Sequence, residues 1–442
     1  MRIRPHAFVI VMGLLTAVGL RPAPVETVGR PGITPVACSQ QAWIQNDPAF
    51  EALPGAKAFF GTYEGGVYRI EIPARWNGEL MLSAHGFVSS GDERGLELRV
   101  GFPGIREHLI EQGFAWAASS YRCNGYVPGQ GLLDTMALTD LFTKFNGGAA
   151  PQRVYLTGTS MGGHVTLLGM HEFPTAFAGG LAMCPAGPEL FDYFTAVGAA
   201  AEAITGLPFK DPGRVPQTLQ LMTAALGRPP DYTEKGRQLA SVEIHLSGGP
   251  RPFAVEGLES RFLQNISGGA LAGSSSPSSR AVTNQHYTYR IDQGLGLTSE
   301  RLTALVRRKA PDPEIRGAQG PYDELVPFDG RIERPVLTMH GTGDLFVPIH
   351  LEQTLNRAVA GAGRSDLLVQ RIYRIPGHCR FSVPEQSRAF DDLVRWVREG
   401  VHPPGDTVFG DLSDAGRTFT DPLRENDPGT IRMTPSADTR PQ

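Results

Sequence analysis

The stretch Val154-Tyr155-Leu156-Thr157-Gly158-Thr159-Ser160-Met161-Gly162-Gly163 decides the fold. An apolar, β-prone run leads into Gly-x-Ser-x-Gly, and helical spacing takes over from Gly162 to His171. A strand that turns this sharply into a helix needs small residues on both sides of the serine, because side chains there would strike the neighbouring turn. The turn lifts the Ser160 hydroxyl above the strand ends and points the amide of Met161 at the same spot. Ser160 is therefore the candidate nucleophile, and the Met161 amide a candidate donor to an oxyanion.

A serine nucleophile needs a base, and the base needs an orienting acid. Pro335-Val336-Leu337-Thr338-Met339-His340-Gly341-Thr342-Gly343-Asp344 reads as a buried strand whose end presents Asp344. Ile375-Pro376-Gly377-His378 then places a histidine on the loop after the next strand. The chain order Ser160, Asp344, His378 is that of the α/β-hydrolase triad and not of the chymotrypsin or subtilisin triads. His85, His164, His171, His286, His340 and His350 are weighed as bases and set aside, His164 for its poor reach and His340 as a strand-end residue. Asp329, Asp391 and Asp392 lack the strand-end turn that favours Asp344. His85-Gly86-Phe87 follows the apolar run Glu79–Ser83, so the Phe87 amide is the second oxyanion donor, with Gly86 letting the backbone come close.

Outward from these motifs, strands alternate with helices. Phe59–Tyr63 and Val67–Ile72 form a hairpin through Glu64-Gly65-Gly66, and further strands fall at Glu79–Ser83, Phe114–Ser119, Val154–Thr157, Phe177–Met183, Pro335–Met339 and Arg371–Ile375. Helical spacing occupies Gly104–Gln112, Leu132–Phe145, Gly162–His171 and Gln386–Arg398. The fold class is α/β, a mostly parallel, doubly wound sheet. Residues 186–334 interrupt it with apolar helical patches (Leu190–Ile204, Leu219–Leu226, Ser299–Val306) and a Gly/Ser/Pro stretch, Ser267–Ser279. An insertion there lies over the strand ends, where a mainly helical lid would shape the pocket.

The ends read differently. A short basic start followed by apolar residues to about Leu20 reads as a signal peptide over 1–19, too short to span a bilayer comfortably. The organisation is then 20–57 an N-terminal extension, 58–185 the first part of the core, 186–334 the lid, 335–400 the second part of the core and 401–442 a tail. Export to a secreted or periplasmic location makes Cys38, Cys123, Cys184 and Cys379 disulfide candidates, with three possible pairings. The 442 residues carry 41 basic and 45 acidic side chains, for a formal charge of −4, which excludes the concentrated positive surface of a nucleic-acid binder. No His/Cys cluster suggests a zinc site.

With these residues in hand, the sequence resembles the α/β-hydrolase fold superfamily, and within it secreted bacterial esterases and peptidase-like hydrolases with a large inserted lid. The match rests on His85-Gly86-Phe87, Gly158-Thr159-Ser160-Met161-Gly162-Gly163, His340-Gly341-Thr342-Gly343-Asp344 and Gly377-His378, and covers about 58–185 and 335–400. The resemblance implies a Ser-Asp-His hydrolase of carboxylic esters that needs no metal or cofactor and no stable membrane anchor. Tannase and feruloyl esterase relatives tie the neighbour of the histidine to the neighbour of the serine by a disulfide. Here the serine's neighbour is Thr159, so Cys379 is expected to pair with Cys38 instead. Gly86, Phe191 and Phe194 are the candidate substrate-binding residues, for a small-molecule or polymer ester. A serine exopeptidase is the alternative, with Glu189 and Asp192 to hold a substrate amine; a polyester depolymerase would want an open, shallow cleft.

Overall fold

Near-continuous apolar runs such as Glu79-Leu80-Met81-Leu82-Ser83-Ala84 suit strands covered on both faces. Eight strands make one sheet: β1 (Ala56–Tyr63), β2 (Gly66–Pro73), β3 (Glu79–Ala84), β4 (Ala115–Ser119), β5 (Arg153–Thr159), β6 (Gly179–Met183), β7 (Val336–Gly343) and β8 (Leu368–Pro376). Their order across the sheet is β1-β2-β4-β3-β5-β6-β7-β8, antiparallel where β2 meets β1 and β4, and parallel elsewhere. The computed structural model describes residue 38 and residues 42–89, 93–209, 214–274, 280–316 and 327–421. The expected signal peptide over 1–19 lies outside the described residues.

The helices follow the same alternation. α1 (Arg106–Glu111) links β3 to β4, α2 (Pro128–Phe145) links β4 to β5, and α3 (Met161–Glu172) links β5 to β6. Between β6 and β7 come α4 (Glu189–Thr205), α5 (Val215–Leu226), α6 (Glu234–Leu246), α7 (Ala254–Ser274), α8 (Ser299–Leu305) and α9 (Pro313–Arg316). α10 (His350–Gly361) joins β7 to β8, and α11 (Val383–Glu399) follows β8. Leu80, Leu82 and Leu156 pack with Leu138, Val165 and Leu355 of α2, α3 and α10. Their strand neighbours Met81 and Tyr155 pack on the opposite face with Leu109 of α1 and Phe390 of α11. The sheet is thus doubly wound beyond its antiparallel edge, the α/β-hydrolase architecture.

The helices between β6 and β7 build a core of their own, where α4 packs along α6 and α7 around Tyr193, Phe194, Leu239 and Phe262. Two of them, α6 and α7, lie outside the helical patches expected from the sequence, although Leu239, Val242 and Leu246 and then Ala254, Leu258, Phe262 and Ile266 recur at helical spacing. The stretch from Ser267, read as irregular, is helical as far as Ser274, because α7 is held by tertiary packing on α4 and not by its own weak propensity. Beyond α11, residues up to 421 cover the open edge of β8. Asp406 accepts from the Ile372 amide (2.8 Å), and the Thr420 hydroxyl accepts from the Arg374 amide (2.8 Å).

Candidate active site

Ser160 stands between β5 and α3 at φ 58° and ψ −118°, a region that side-chain-bearing residues rarely occupy. Three hydrogen bonds hold it there: its amide donates to Met183 O (3.0 Å), and its carbonyl accepts from the amides of His164 and Ala186 (3.1 Å each). Glycine is required on both sides. A Cβ on Gly158 would collide with the Gly162 carbonyl, and one on Gly162 with the Ala84 carbonyl.

The loops after β7 and β8 bring the other two residues to this turn. His378 Nε2 lies 2.8 Å from Ser160 Oγ, and His378 Nδ1 lies 2.5 Å from Asp344 Oδ2. An ionised carboxylate can only accept, so Nδ1 carries the ring proton and Nε2 is left as the acceptor for the serine hydroxyl. Asp344 is fully buried. Burial pushes its carboxyl up, but the charge and hydrogen bond of His378, then His340 and the Val347 amide, outweigh burial and hold it below the usual range. Its second oxygen accepts from the Phe346 (3.1 Å) and Val347 (2.9 Å) amides. The other histidines are engaged elsewhere. His164 is buried on α3 with its Nδ1 2.9 Å from the Tyr126 hydroxyl, and burial lowers its pKa to about 3. His340 braces the acid loop through Val347 O (3.0 Å).

The helices between β6 and β7 grip that same loop, which the sequence reading missed. Buried Arg251 donates from Nε to Thr342 O (2.7 Å) and from Nη2 to Asp344 O (3.4 Å), and its Nη1 reaches Ser247 Oγ and Gly249 O. Burial lowers its pKa to about 10, so it remains a cation at neutral pH. Its only sequence signal is an arginine in a Gly/Pro-rich turn, Gly248-Gly249-Pro250-Arg251. Arg251→Met is expected to lower kcat/KM by about 10-fold through displacement of the acid loop. Steady-state kinetics on a variant shown to be folded by circular dichroism would check this.

Beside Arg251, Asn265 of α7 donates to Leu345 O (2.9 Å) and to Glu243 Oε1, and the Tyr193 hydroxyl lies 3.2 Å from that Glu243 oxygen. Burial pushes Glu243 up to about 8, so the folded chain holds a proton there that the unfolded chain releases near pH 4.5. The stabilisation from that proton is complete below about pH 4.5 and is lost as pH rises through about 8. Glu243→Gln, neutral throughout, is expected to flatten the fall in melting temperature between pH 5 and pH 8. The difference is a few kcal/mol at most, on the order of a few degrees for a chain of this size. Parallel melts of the two proteins would check it.

On the oxyanion side, a Cβ placed on Gly86 would lie 3.3 Å from Thr159 O and 3.5 Å from Ser160 Cβ, so this loop runs directly beside the serine. Met161 opens α3, and its amide is one of those a helix leaves without an internal partner. The His85 ring stacks on Tyr121 (3.9 Å between centroids), with Nδ1 2.7 Å from Gly86 O and Nε2 3.0 Å from Ser120 O. Phe87 is half exposed. A cavity of about 270 Å³ reaches under this loop, between Gly101–Ile105, Thr157–Thr159 and Gln386.

The remaining candidates are placed as follows. Phe194 is buried inside the helical core, 5.7 Å from Phe346, and Phe346 itself meets the His378 ring edge-on at 5.4 Å. Phe346 is therefore the aromatic neighbour of His378 that the sequence reading passed over, although it lies two residues from Asp344. Phe191 is partly buried against Tyr126, Ala281 and Val282. Asp192 is fully buried, pushed up by burial, and spends its oxygens on Arg316 (2.6 and 2.8 Å) and the Thr283 amide (2.8 Å). It is not presented to a substrate amine. Glu189, partly buried, is pushed up to about 7 by desolvation.

The expected link between Cys379 and Cys38 does not form. Cys38 pairs with Cys123, and Cys184 pairs with Cys379, each with Cα atoms 5.6 Å apart. The reason lies in the register: Thr159 pairs with Met183, so Cys184, one residue beyond, emerges beside the serine turn and meets the histidine loop there. That partner had a sequence signal, since Cys184 ends the strand following the elbow helix. Cys184, Asp344, His378 and Cys379 also lie close enough to suggest a metal site, but sulfurs bonded to each other are not thiolate ligands.

The site is a strained elbow serine with a histidine and a buried carboxylate in hydrogen-bond sequence, on an α/β-hydrolase sheet. No protein-family model and no curated protein matches the chain. Among solved structures it is similar to feruloyl esterase B from Aspergillus oryzae, at 14% identity over 79% of this chain and 82% of that one, with a TM-score of 0.46. An esterase from Pyrococcus furiosus is similar at 15% identity, over 77% and 93%, with a TM-score of 0.37. An acylaminoacyl peptidase from Pyrococcus horikoshii is similar at 12% identity, over 80% and 44%, with a TM-score of 0.38. At these identities and scores the likeness says nothing about the site, whose own geometry carries the reading that follows.

Proposed function

We propose that the chain is a secreted or periplasmic serine hydrolase that cleaves carboxylic esters through an acyl-enzyme. The observation that carries this is the run Ser160 Oγ–His378 Nε2–Asp344 at 2.8 and 2.5 Å, with Ser160 held at a positive φ above the strand ends. In this reading Ser160 attacks the ester carbonyl while His378 Nε2 takes its proton, and Asp344 holds the ring and stabilises the imidazolium. The amides of Met161 and Phe87 receive the oxyanion, a contribution worth roughly 10²–10³ in rate for each donor. The alcohol leaves with the proton of His378, and water repeats the sequence on the acyl-serine. Residues 186–334 act as the lid, with Gly86 beside the serine and Phe194, inside the helical core, bearing on the pocket only through Phe346. Two disulfides are in keeping with export, and among the described residues no helix is long and apolar enough to cross a membrane.

The test is hydrolysis of p-nitrophenyl esters from acetate to laurate beside aminoacyl p-nitroanilides. Ester turnover that depends on Ser160 supports the reading. Anilide turnover exceeding ester turnover would move the assignment to a peptidase. The burial of Asp192 against Arg316 counts against that second outcome, because of the two acids expected to hold a substrate amine it leaves Glu189 alone.

A further inference from the structure

β7 carries a buried histidine of its own, just ahead of the acid. His340 Nε2 lies 3.0 Å from the Val347 carbonyl, and the Val347 amide donates to Asp344 Oδ1 (2.9 Å). A carbonyl can only accept, so Nε2 carries a proton. On the other side of the ring, Nδ1 lies 3.4 Å from Oε1 of Glu352, in the first turn of α10. Both side chains are buried, and among the described residues neither of these two atoms has a hydrogen-bond partner.

If both were bare, Nδ1 and Oε1 would face each other lone pair to lone pair, away from solvent. A single proton between them satisfies both atoms at once. Glu352 is not free to turn away. Its other oxygen accepts from the Thr338 hydroxyl (2.7 Å) and from the Gln370 side-chain amide (2.5 Å), which also donates to the Glu352 carbonyl (2.9 Å). Residues of β7 and β8 thus aim the carboxyl at the ring, and the ring holds Val347. The other charged side chains bonded to this stretch use different atoms: His378 takes Asp344 Oδ2, and Arg251 takes the carbonyls of Thr342 and Asp344.

We propose that Glu352 and His340 are positioning residues for the reaction, a proton-bridged pair that fixes Val347 and, through its amide, the rotation of the Asp344 carboxylate toward His378. The proposal rests on the ester-hydrolase reading. The pair acts through the acid, and the acid acts in the chemical step. Its loss therefore falls on kcat and leaves KM little changed.

The test is steady-state kinetics with p-nitrophenyl acetate on Glu352→Gln, Glu352→Leu, His340→Leu and the double leucine variant. Glutamine can still accept from Thr338 and Gln370 and can donate to His340 Nδ1, so kcat is expected within about 3-fold of the unaltered chain. Each single leucine variant is expected to lower kcat by about 10-fold with KM within about 2-fold. The single changes strand a buried polar partner, whereas the double variant removes both and is expected to melt closer to the unaltered chain. Its kcat should match the worse single variant, because one path has been cut twice. A double variant with unaltered kcat would overturn the proposal alone. So would losses that multiply, or a Glu352→Gln loss as large as that of Glu352→Leu. Should the leucine variants not fold, nitrogen-15 spectra of the histidine rings decide, with Glu352→Gln marking the His340 signals. Both ring nitrogens of His340 are expected to be protonated or hydrogen-bonded in the unaltered chain, and a nitrogen free of both would overturn the pairing. No acetate turnover by the unaltered chain would overturn the hydrolase reading and this one together.

Discussion

Ser160→Ala is expected to lower ester turnover by roughly 10⁴–10⁶-fold, because loss of the nucleophile removes the covalent route and leaves only binding and the oxyanion donors. The substitution is well suited to the question. Alanine keeps the Cβ, so the positive φ of 58° costs about what it did before, and the bonds from Met183, Ala186 and His164 are made by backbone. A melting curve close to that of the unaltered chain is expected alongside the loss of kcat. Single-turnover measurement with p-nitrophenyl acetate gives a second reading, since the burst of nitrophenol that marks an acyl-serine should vanish. Turnover within 10-fold of the unaltered chain would mean that another residue attacks the ester.

Opening the bridge between Cys184 and Cys379 is the second large effect. The bond closes a loop of 195 residues that contains every helix between β6 and β7, and it ends on the residue after His378. Both cysteines have positive φ, 40° and 54°, a conformation that the surrounding chain must enforce. Replacing both with serine is expected to cost about 2–5 kcal/mol of stability and to lower kcat/KM by about 10-fold or more, as the histidine loop relaxes away from Ser160. Replacing Cys38 and Cys123 is the comparison. That bridge ties the N-terminal segment to the loop after β4 and touches none of the three residues, so it should lower the melting temperature and leave kcat/KM much closer to the starting value. Equal activity losses from the two pairs would show that the bridge beside His378 acts through general stability only.

The sheet and the meeting of Ser160, Asp344 and His378 at one turn were legible because each is dictated locally. Gly158, Ser160 and Gly162 are forced by a turn with no room for side chains, and Asp344 and His378 by strands that must end where the sheet's edge begins. What escaped is what depends on contacts distant in sequence. Arg251 is 91 residues from the Thr342 carbonyl it grips, and nothing in a Gly/Pro-rich turn says where its guanidinium will go. α7 was missed for a related reason. Gly257 weakens it as an isolated helix, but a Cβ there would strike the Gly343 backbone, so the glycine is what lets α7 approach β7. The wrong cysteine pairing came from arguing about Thr159 alone and not about the residue across the sheet from it.

Arg251, Asn265 and Tyr193 together give the region between β6 and β7 a part in setting the acid's backbone, which bears on how the molecule could be re-engineered. That region is not a cassette. Trimming it to make a minimal catalyst would leave the carbonyls of Thr342, Asp344 and Leu345 without donors, and transplanting it would import a buried cation with nothing to hold. A chimera that exchanges substrate preference between two such scaffolds has to carry the turn after β7 with the insertion, as one unit of inheritance.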